Sequence, residues 1–245
     1  MVNNLSFHSK AGTIKVENGN NPRTPYLHQV QAIRALNEKV NSENIYKGLI
    51  VLPTGGGKTY TAVLWLLKNF INEDKKVLWI AHRHELLNQA LASIVSNSYS
   101  DVLTKKKQFK YRVISGVHDR PVNIEPDDDF IIASKDSINY GMNHLLTNWI
   151  NKNKNNIVLV IDEAHHAVAK SYKNIIENLE ENNKDYFKLI GLTATPFRTS
   201  ESEKGALKRI FKNDIIYSID LKTLINRGIL SDPIFIEEKT RIDMT

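Results

Sequence analysis

The sequence predicts an α/β domain built on a mainly parallel sheet with helices on both faces. Three observations predict it. Short, continuously apolar runs recur along the chain, longer amphipathic segments separate them, and polar or Gly/Pro residues mark the junctions. A strand covered by helices on both sides has no wet face, so it reads as an unbroken apolar run. Parallel neighbours also need a crossover of a dozen or more residues, which is the length of the amphipathic segments.

The elements follow in order. Residues 1–25 are rich in Asn, Ser and Gly and form an N-terminal extension; the alternation Thr13-Ile14-Lys15-Val16 before Glu17-Asn18-Gly19 predicts a small hairpin. Between 26 and 40, Leu27, Val30, Ile33, Ala35 and Leu36 recur at helical spacing. The apolar runs 48–52, 77–81, 111–115, 130–133, 157–161 and 189–193 are the predicted strands, with 58–70, 85–96 and 171–182 as crossover helices. Residues 99–110 read as a basic, weakly periodic connection and 125–129 as an acidic turn. The main domain is expected over 26–236, with 237–245 as a tail or the start of a linker.

Bulk properties exclude several classes. A chain of 245 residues with 41% hydrophobic and 24% charged residues has the composition of one large soluble domain. The absence of cysteine excludes disulfide staples, thiolate zinc sites and a cysteine nucleophile. No apolar run approaches the ~20 residues of a membrane span, and the polar N-terminus lacks the apolar core of a signal peptide. A cytoplasmic protein with no membrane partner is expected. The formal charge of +6 and pI near 9.3 suit a polyanionic partner without selecting one.

The strongest chemical signal is Pro53-Thr54-Gly55-Gly56-Gly57-Lys58-Thr59, between a predicted strand and a predicted helix. Three glycines let the backbone curl with its amides turned inward toward phosphate oxygens, and the helix start adds positive potential. Lys58 is the candidate for the β- and γ-phosphates, and Thr59 for Mg²⁺. Leu52 stands where the pattern G-x-x-x-x-G-K-[ST] has its first Gly, so a plain Gly-rich turn is the competing reading.

The run 157–161 ends in Asp162-Glu163-Ala164-His165. Two carboxylates at the carboxyl edge of a buried strand lie where open α/β sheets bind ligands. Asp162 is the candidate metal ligand and Glu163 the candidate base for an attacking water. An acidic helix start is the competing reading. The next strand ends in Leu192-Thr193-Ala194-Thr195-Pro196, whose hydroxyls can bond the carboxylates or His165; a strand ending at a Pro turn fits the same residues.

In sequence and spacing these runs resemble superfamily 2 helicases and translocases, from about Tyr26 onward. Pro53 to Thr59 resembles motif I, Asp162-Glu163-Ala164-His165 resembles motif II in its DEAH spelling, and Thr193-Ala194-Thr195 resembles motif III. The resemblance implies a RecA-like P-loop NTPase domain using ATP and Mg²⁺. It assigns Thr54, Gly55, Gly56, Gly57, Lys58 and Thr59 to the phosphates, and His165, Thr193 and Thr195 to coupling. Gln29 resembles the adenine-reading Gln of the Q motif, with Tyr26 positioned to stack on the base. A helix-start Gln and a core aromatic remain the alternative. The run from Trp79 to Ala90 is similar to motif Ia, with Arg83 as a backbone-phosphate contact. Ser134 and Lys135 sit where the family has a second backbone-binding loop, often with Thr in place of Ser134.

The spellings Ala81-His82-Arg83-His84-Glu85-Leu86 and Gly191 through Pro196, Phe197 and Arg198 look more like the restriction-enzyme motor and DNA-repair branch than DEAD-box RNA helicases. So does the tail 216–230 followed by Pro233. That branch implies duplex DNA as track, with nuclease or specificity subunits as candidate partners. The family's motor needs a second RecA-like domain carrying an arginine finger. Arg198, Arg209, Arg227 and Arg241 are scattered, and too few residues follow Thr195 for another domain. The expectation is a fragment, or a chain completed in trans, that alone binds ATP·Mg²⁺ weakly and turns it over poorly. A non-motor ATP-binding scaffold or regulatory module is the alternative function. A P-loop kinase leaves the motif Ia and III matches unexplained. The basic stretch from Lys105 to Arg112 is open to two readings, a DNA contact or a solvated loop.

Overall fold

The computed structural model describes residues 11–195, 201–212 and 215–232. Pro196, Phe197, Arg198, Pro233, Arg241 and the tail 237–245 lie outside them.

Among the described residues the strands are β1 (Ala11–Lys15), β2 (Ile45–Val51), β3 (Lys76–Ala81), β4 (Gln108–Ile114), β5 (Phe130–Ser134), β6 (Ile157–Asp162), β7 (Phe187–Thr193) and β8 (Ile215–Ser218). They form one sheet in the order β1-β4-β5-β3-β6-β7-β2-β8. Every neighbouring pair is parallel except β1 with β4. The helices are α1 (Leu27–Val40), α2 (Lys58–Asn69), α3 (His84–Ser96), α4 (Lys135–Tyr140), α5 (Met142–His144), α6 (Lys170–Asn182), α7 (Glu201–Ile210) and α8 (Leu221–Asn226). A π-helical turn, Leu145–Trp149, continues α5.

The unbroken apolar strands are explained by two cores. Val77, Trp79 and Ala81 of β3 join one core with α1, α2 and α3, while Leu78 and Ile80 join the other with α5 and α6. Successive strand side chains point to opposite faces. With both faces covered, most positions on both faces are apolar, and the buried polar exceptions such as Lys47, Arg112 and Lys188 each hold a partner. The six predicted strands and four predicted helices therefore fall within a few residues of β2 to β7 and of α1, α2, α3 and α6.

The expected hairpin at Thr13–Val16 is not formed. Instead β1 pairs antiparallel with β4, Ala11 opposite Arg112 and Lys15 opposite Gln108. A single edge strand has the same alternation as a hairpin arm, and its partner lies far along the chain. The acidic turn, together with Asp119, is tied to β4. Asp128 and Asp119 each accept at 2.7 Å from the buried Arg112 guanidinium of β4, and Trp149 Nε1 donates to the Asp128 carbonyl at 2.8 Å.

The strand order sets the functional edge. β6, β7 and β2 are consecutive, so the loops after them emerge side by side at their carboxyl ends. β3 and β5 are also neighbours, with Ala81 opposite Ser134. Gly191 of β7 lets the turn after β6 lie directly on the sheet. A Cβ there would come within 2.6 Å of Leu49 Cδ2 and Phe211 Cζ and 2.7 Å of Ala164 Cβ.

Candidate nucleotide and nucleic-acid site

The phosphate loop leaves β2 and enters α2 through two left-handed glycines, Gly55 (φ 81°) and Gly57 (φ 82°), which residues with a Cβ adopt only at a cost. Leu52 donates its amide to the Thr193 carbonyl at 3.1 Å, so the loop begins locked to β7. The first amides of α2, from Lys58 onward, have no intrahelical partner and make the helix start an anion-binding end. Leu52 in place of a first Gly is buried in the sheet and does not prevent this shape.

Two segments flank the loop. On one side Gln29 Nε2 donates to the Gly56 carbonyl at 3.2 Å, while its Oε1 accepts from the Tyr26 amide at 2.9 Å. His28 Nε2 also lies 2.8 Å from the Gly56 carbonyl. A Cβ on Gly57 would come within 2.3 Å of Gln29 Nε2. On the other side, Leu224 of α8 and Leu230 lie 3.2 and 2.9 Å from Cβ positions built on Gly56 and Gly55. Gln29 thus sits against the loop in the buried interior, whereas Tyr26 is exposed and stacks over the His28 ring at 6.0 Å. Thr54 is exposed and Thr59 half-buried at the helix start.

The Asp162-Glu163 turn after β6 faces the loop. Lys58 Nζ stands 3.7 Å from Glu163 Oε1. Glu163 holds a left-handed backbone (φ 52°, ψ 56°), uncommon for a residue with a side chain. Its amide donates to Asp162 Oδ1 at 3.0 Å. Burial, and next the Glu163 charge, push the Asp162 carboxyl up to about 6. Asp162 Oδ2 is buried and makes no hydrogen bond. A divalent cation at that oxygen would supply the missing partner and favour the ionised carboxylate, so the buried Asp162 carboxylate fits a metal ligand. Among the described residues no cluster of three or more His, Cys, Asp or Glu could hold a metal alone. Phosphate oxygens and water are the remaining ligands such an ion takes.

His165 links this turn to β7. Its Nδ1 lies 3.4 Å from Glu163 Oε2 and 3.4 Å from Thr193 Oγ1. Thr193 Oγ1 in turn donates to the Thr195 carbonyl at 3.0 Å and accepts from the Thr195 amide at 3.2 Å. The three coupling candidates therefore form one connected group. The histidines His166 and His82 extend it: the rings of His165 and His166 are 4.1 Å apart, and those of His166 and His82 are 4.5 Å apart. Burial, then the neighbouring His166 and Arg83, hold His82 below the usual histidine range. This row reaches from Glu163 to the residue beside Arg83, and no local sequence pattern announces it.

Arg83 is exposed at the start of α3. Ser134 caps α4, accepting from the Ser137 amide at 3.3 Å and donating to Ser137 Oγ at 2.9 Å, and Lys135 pairs with Asp136 at 2.7 Å. Arg83 and Ser134 stand at the carboxyl ends of adjacent strands, Arg83 two residues past β3 and Ser134 closing β5. The basic stretch from Lys105 to Arg112 is largely neutralised: Lys105 pairs with Glu73, Lys106 with Asp74, and Lys110 with Asp127. That pairing favours a surface ion-pair loop over a DNA contact.

Fold and site together define an ATP-binding domain of the superfamily 2 helicase class, the N-terminal RecA-like domain of that class. The family described as "Type III restriction enzyme, res subunit" matches residues 23–198, and the chain belongs to it. It is 28% identical over 203 residues to the yeast (Saccharomyces cerevisiae) "Putative ATP-dependent helicase IRC3", covering 80% of this chain and 26% of that one. The type I restriction enzyme EcoAI endonuclease subunit of Escherichia coli is 28% identical over 215 residues, 85% of this chain and 23% of that protein. Among solved structures, the Pyrococcus furiosus Hef helicase domain matches with a TM-score of 0.54 at 22% identity, covering 77% of this chain and 36% of that one. These are likenesses to other proteins, and the structural one is a likeness of fold. The chain spans between about a seventh and a third of the length of the curated relatives it matches. Among the described residues no helix is long and apolar enough to cross a membrane.

Proposed function

We propose that this chain is the ATP-binding half of an ATP-dependent DNA translocase or helicase, which hydrolyses ATP with Mg²⁺ when a second RecA-like domain closes on it in cis or in trans. One observation carries the reading: Lys58 and Glu163 face each other at 3.7 Å beside a buried Asp162 oxygen that lacks a partner. A Gly-rich turn or an acidic helix start alone does not require that convergence.

In this reading Lys58 and the loop amides from Thr54 to Thr59 hold the β- and γ-phosphates. Thr59 and Asp162 hold Mg²⁺, which when bound neutralises charge developing on the phosphate oxygens. Glu163 orients the attacking water and takes its proton. Gln29 and Tyr26 meet the base. His165, Thr193 and Thr195 relay the state of the γ-phosphate to the nucleic-acid edge. Arg83, Ser134 and Lys135 contact the backbone of duplex DNA. The DNA preference rests on sequence spelling and on relatives such as the EcoAI restriction subunit.

The test is ATP hydrolysis by the longest natural form, with and without duplex DNA. Stimulation by DNA and its abolition by Lys58→Ala are expected. Turnover indifferent to both DNA and Lys58 would sink the motor reading in favour of a non-motor module.

A further inference from the structure

We infer that His28 is a positioning residue of the nucleotide site: by holding the Gly56 carbonyl, it fixes the peptide that presents the Gly57 amide to the phosphates. This deepens the ATP-binding reading and rests on it. His28 is fully buried at the start of α1, and its Nε2 lies 2.8 Å from the Gly56 oxygen. A carbonyl only accepts, so Nε2 must carry the proton. Nδ1 agrees with that tautomer. It is buried without a hydrogen-bond partner, a position in which a second N–H would be left unsatisfied.

The consequence follows from peptide geometry. In a planar trans peptide the Gly56 carbonyl and the Gly57 N–H point in opposite directions. Pinning the carbonyl toward α1 turns the amide away from α1, to the open side of the loop. Left-handed Gly57 has no side chain to hold this orientation by packing, so donors outside the loop add to the restraint of the loop's own backbone bonds. Two donors do so, His28 and Gln29.

The two donors are not equivalent. Both ends of the Gln29 amide are engaged, one by the Tyr26 amide and one by Gly56. If Gln29 reads the adenine edge, it must give up at least one of these bonds. His28 has no such second task and remains as the fixed anchor. The loop then keeps its shape while Gln29 changes partners.

The experiment compares ATP with inorganic tripolyphosphate, which has the phosphates and no base, by equilibrium titration of the full chain with Mg²⁺. His28→Phe keeps the ring and removes the donor; His28→Gln can restore one. Thermal unfolding of each variant is measured alongside. His28→Phe should weaken ATP and tripolyphosphate by the same factor, about 3- to 10-fold, the size of one hydrogen bond. His28→Gln should recover part of the loss for both. Gln29→Ala should weaken ATP more than tripolyphosphate. Equal affinities for wild type and His28→Phe, or a His28→Phe loss confined to ATP, overturns the inference while leaving the ATP site standing. If His28→Phe does not fold, a His28→Gln variant that folds yet has lost tripolyphosphate binding entirely overturns it, and retained binding supports it. No binding of either ligand by the wild type overturns the site reading and this inference together.

Discussion

At the residue scale the site turns on Glu163, whose left-handed backbone swings the carboxylate out of the β6 line toward Lys58 while Asp162 stays buried. Adjacent acids thus occupy different surroundings, one half-exposed beside a cation and one pushed up to about 6 by burial and its neighbour. That difference permits two roles, since a base needs access to water and a metal ligand does not. Glu163→Gln in the longest natural form should retain ATP binding but lower turnover by about 10²- to 10⁴-fold, the range for a general base. Steady-state turnover with a parallel binding titration checks it; a loss of binding as large as the loss of rate would contradict the role. That Lys58 and the Asp162-Glu163 pair meet at one sheet edge was legible in the sequence because each stands at or shortly after the end of an apolar run. His28, His82 and His166 were not. A buried His has no period of its own, and these meet partners only across loops that the fold brings together.

At the element scale β7 is the strand between the two halves of the site, and it carries a titratable load of its own. Lys188 is buried at the start of β7, with Nζ bonded to the Val40 carbonyl that ends α1. Burial, then the nearby Lys75, hold its pKa down to about 8. Unfolded, it would titrate near 10.4. Between those values the unfolded chain keeps a proton that the folded chain has released, so stability rises with pH across that window. The cost of the buried charge is full below about 8 and gone above about 10.4. Lys188→Met should therefore gain stability relative to wild type at pH 7, and that gain should shrink toward pH 9.5. Chemical denaturation of both proteins at the two pH values checks it, and a difference independent of pH would contradict the assignment. The strands themselves were legible because both their faces are covered. β1 was misread as a hairpin arm because strand alternation names no partner, and β4 lies some ninety residues on.

At the scale of the whole molecule, the sheet order gathers the loops after β2, β6 and β7 into one edge and leaves those after β3 and β5 beside them. A nucleotide site and a candidate nucleic-acid surface thereby share one side of one sheet, joined through the row His165, His166 and His82. The chain accounts for between about a seventh and a third of the length of the relatives it matches. On the proposed reading, it supplies phosphate binding, the metal ligand and the water-activating carboxylate. The most direct measurement is an equilibrium titration of this chain with ATP and Mg²⁺, beside Lys58→Ala. Saturable binding that Lys58→Ala weakens by about 10- to 100-fold, as expected for losing a charge-assisted bond to phosphate, is the predicted result. Superimposable isotherms for the two proteins would contradict it.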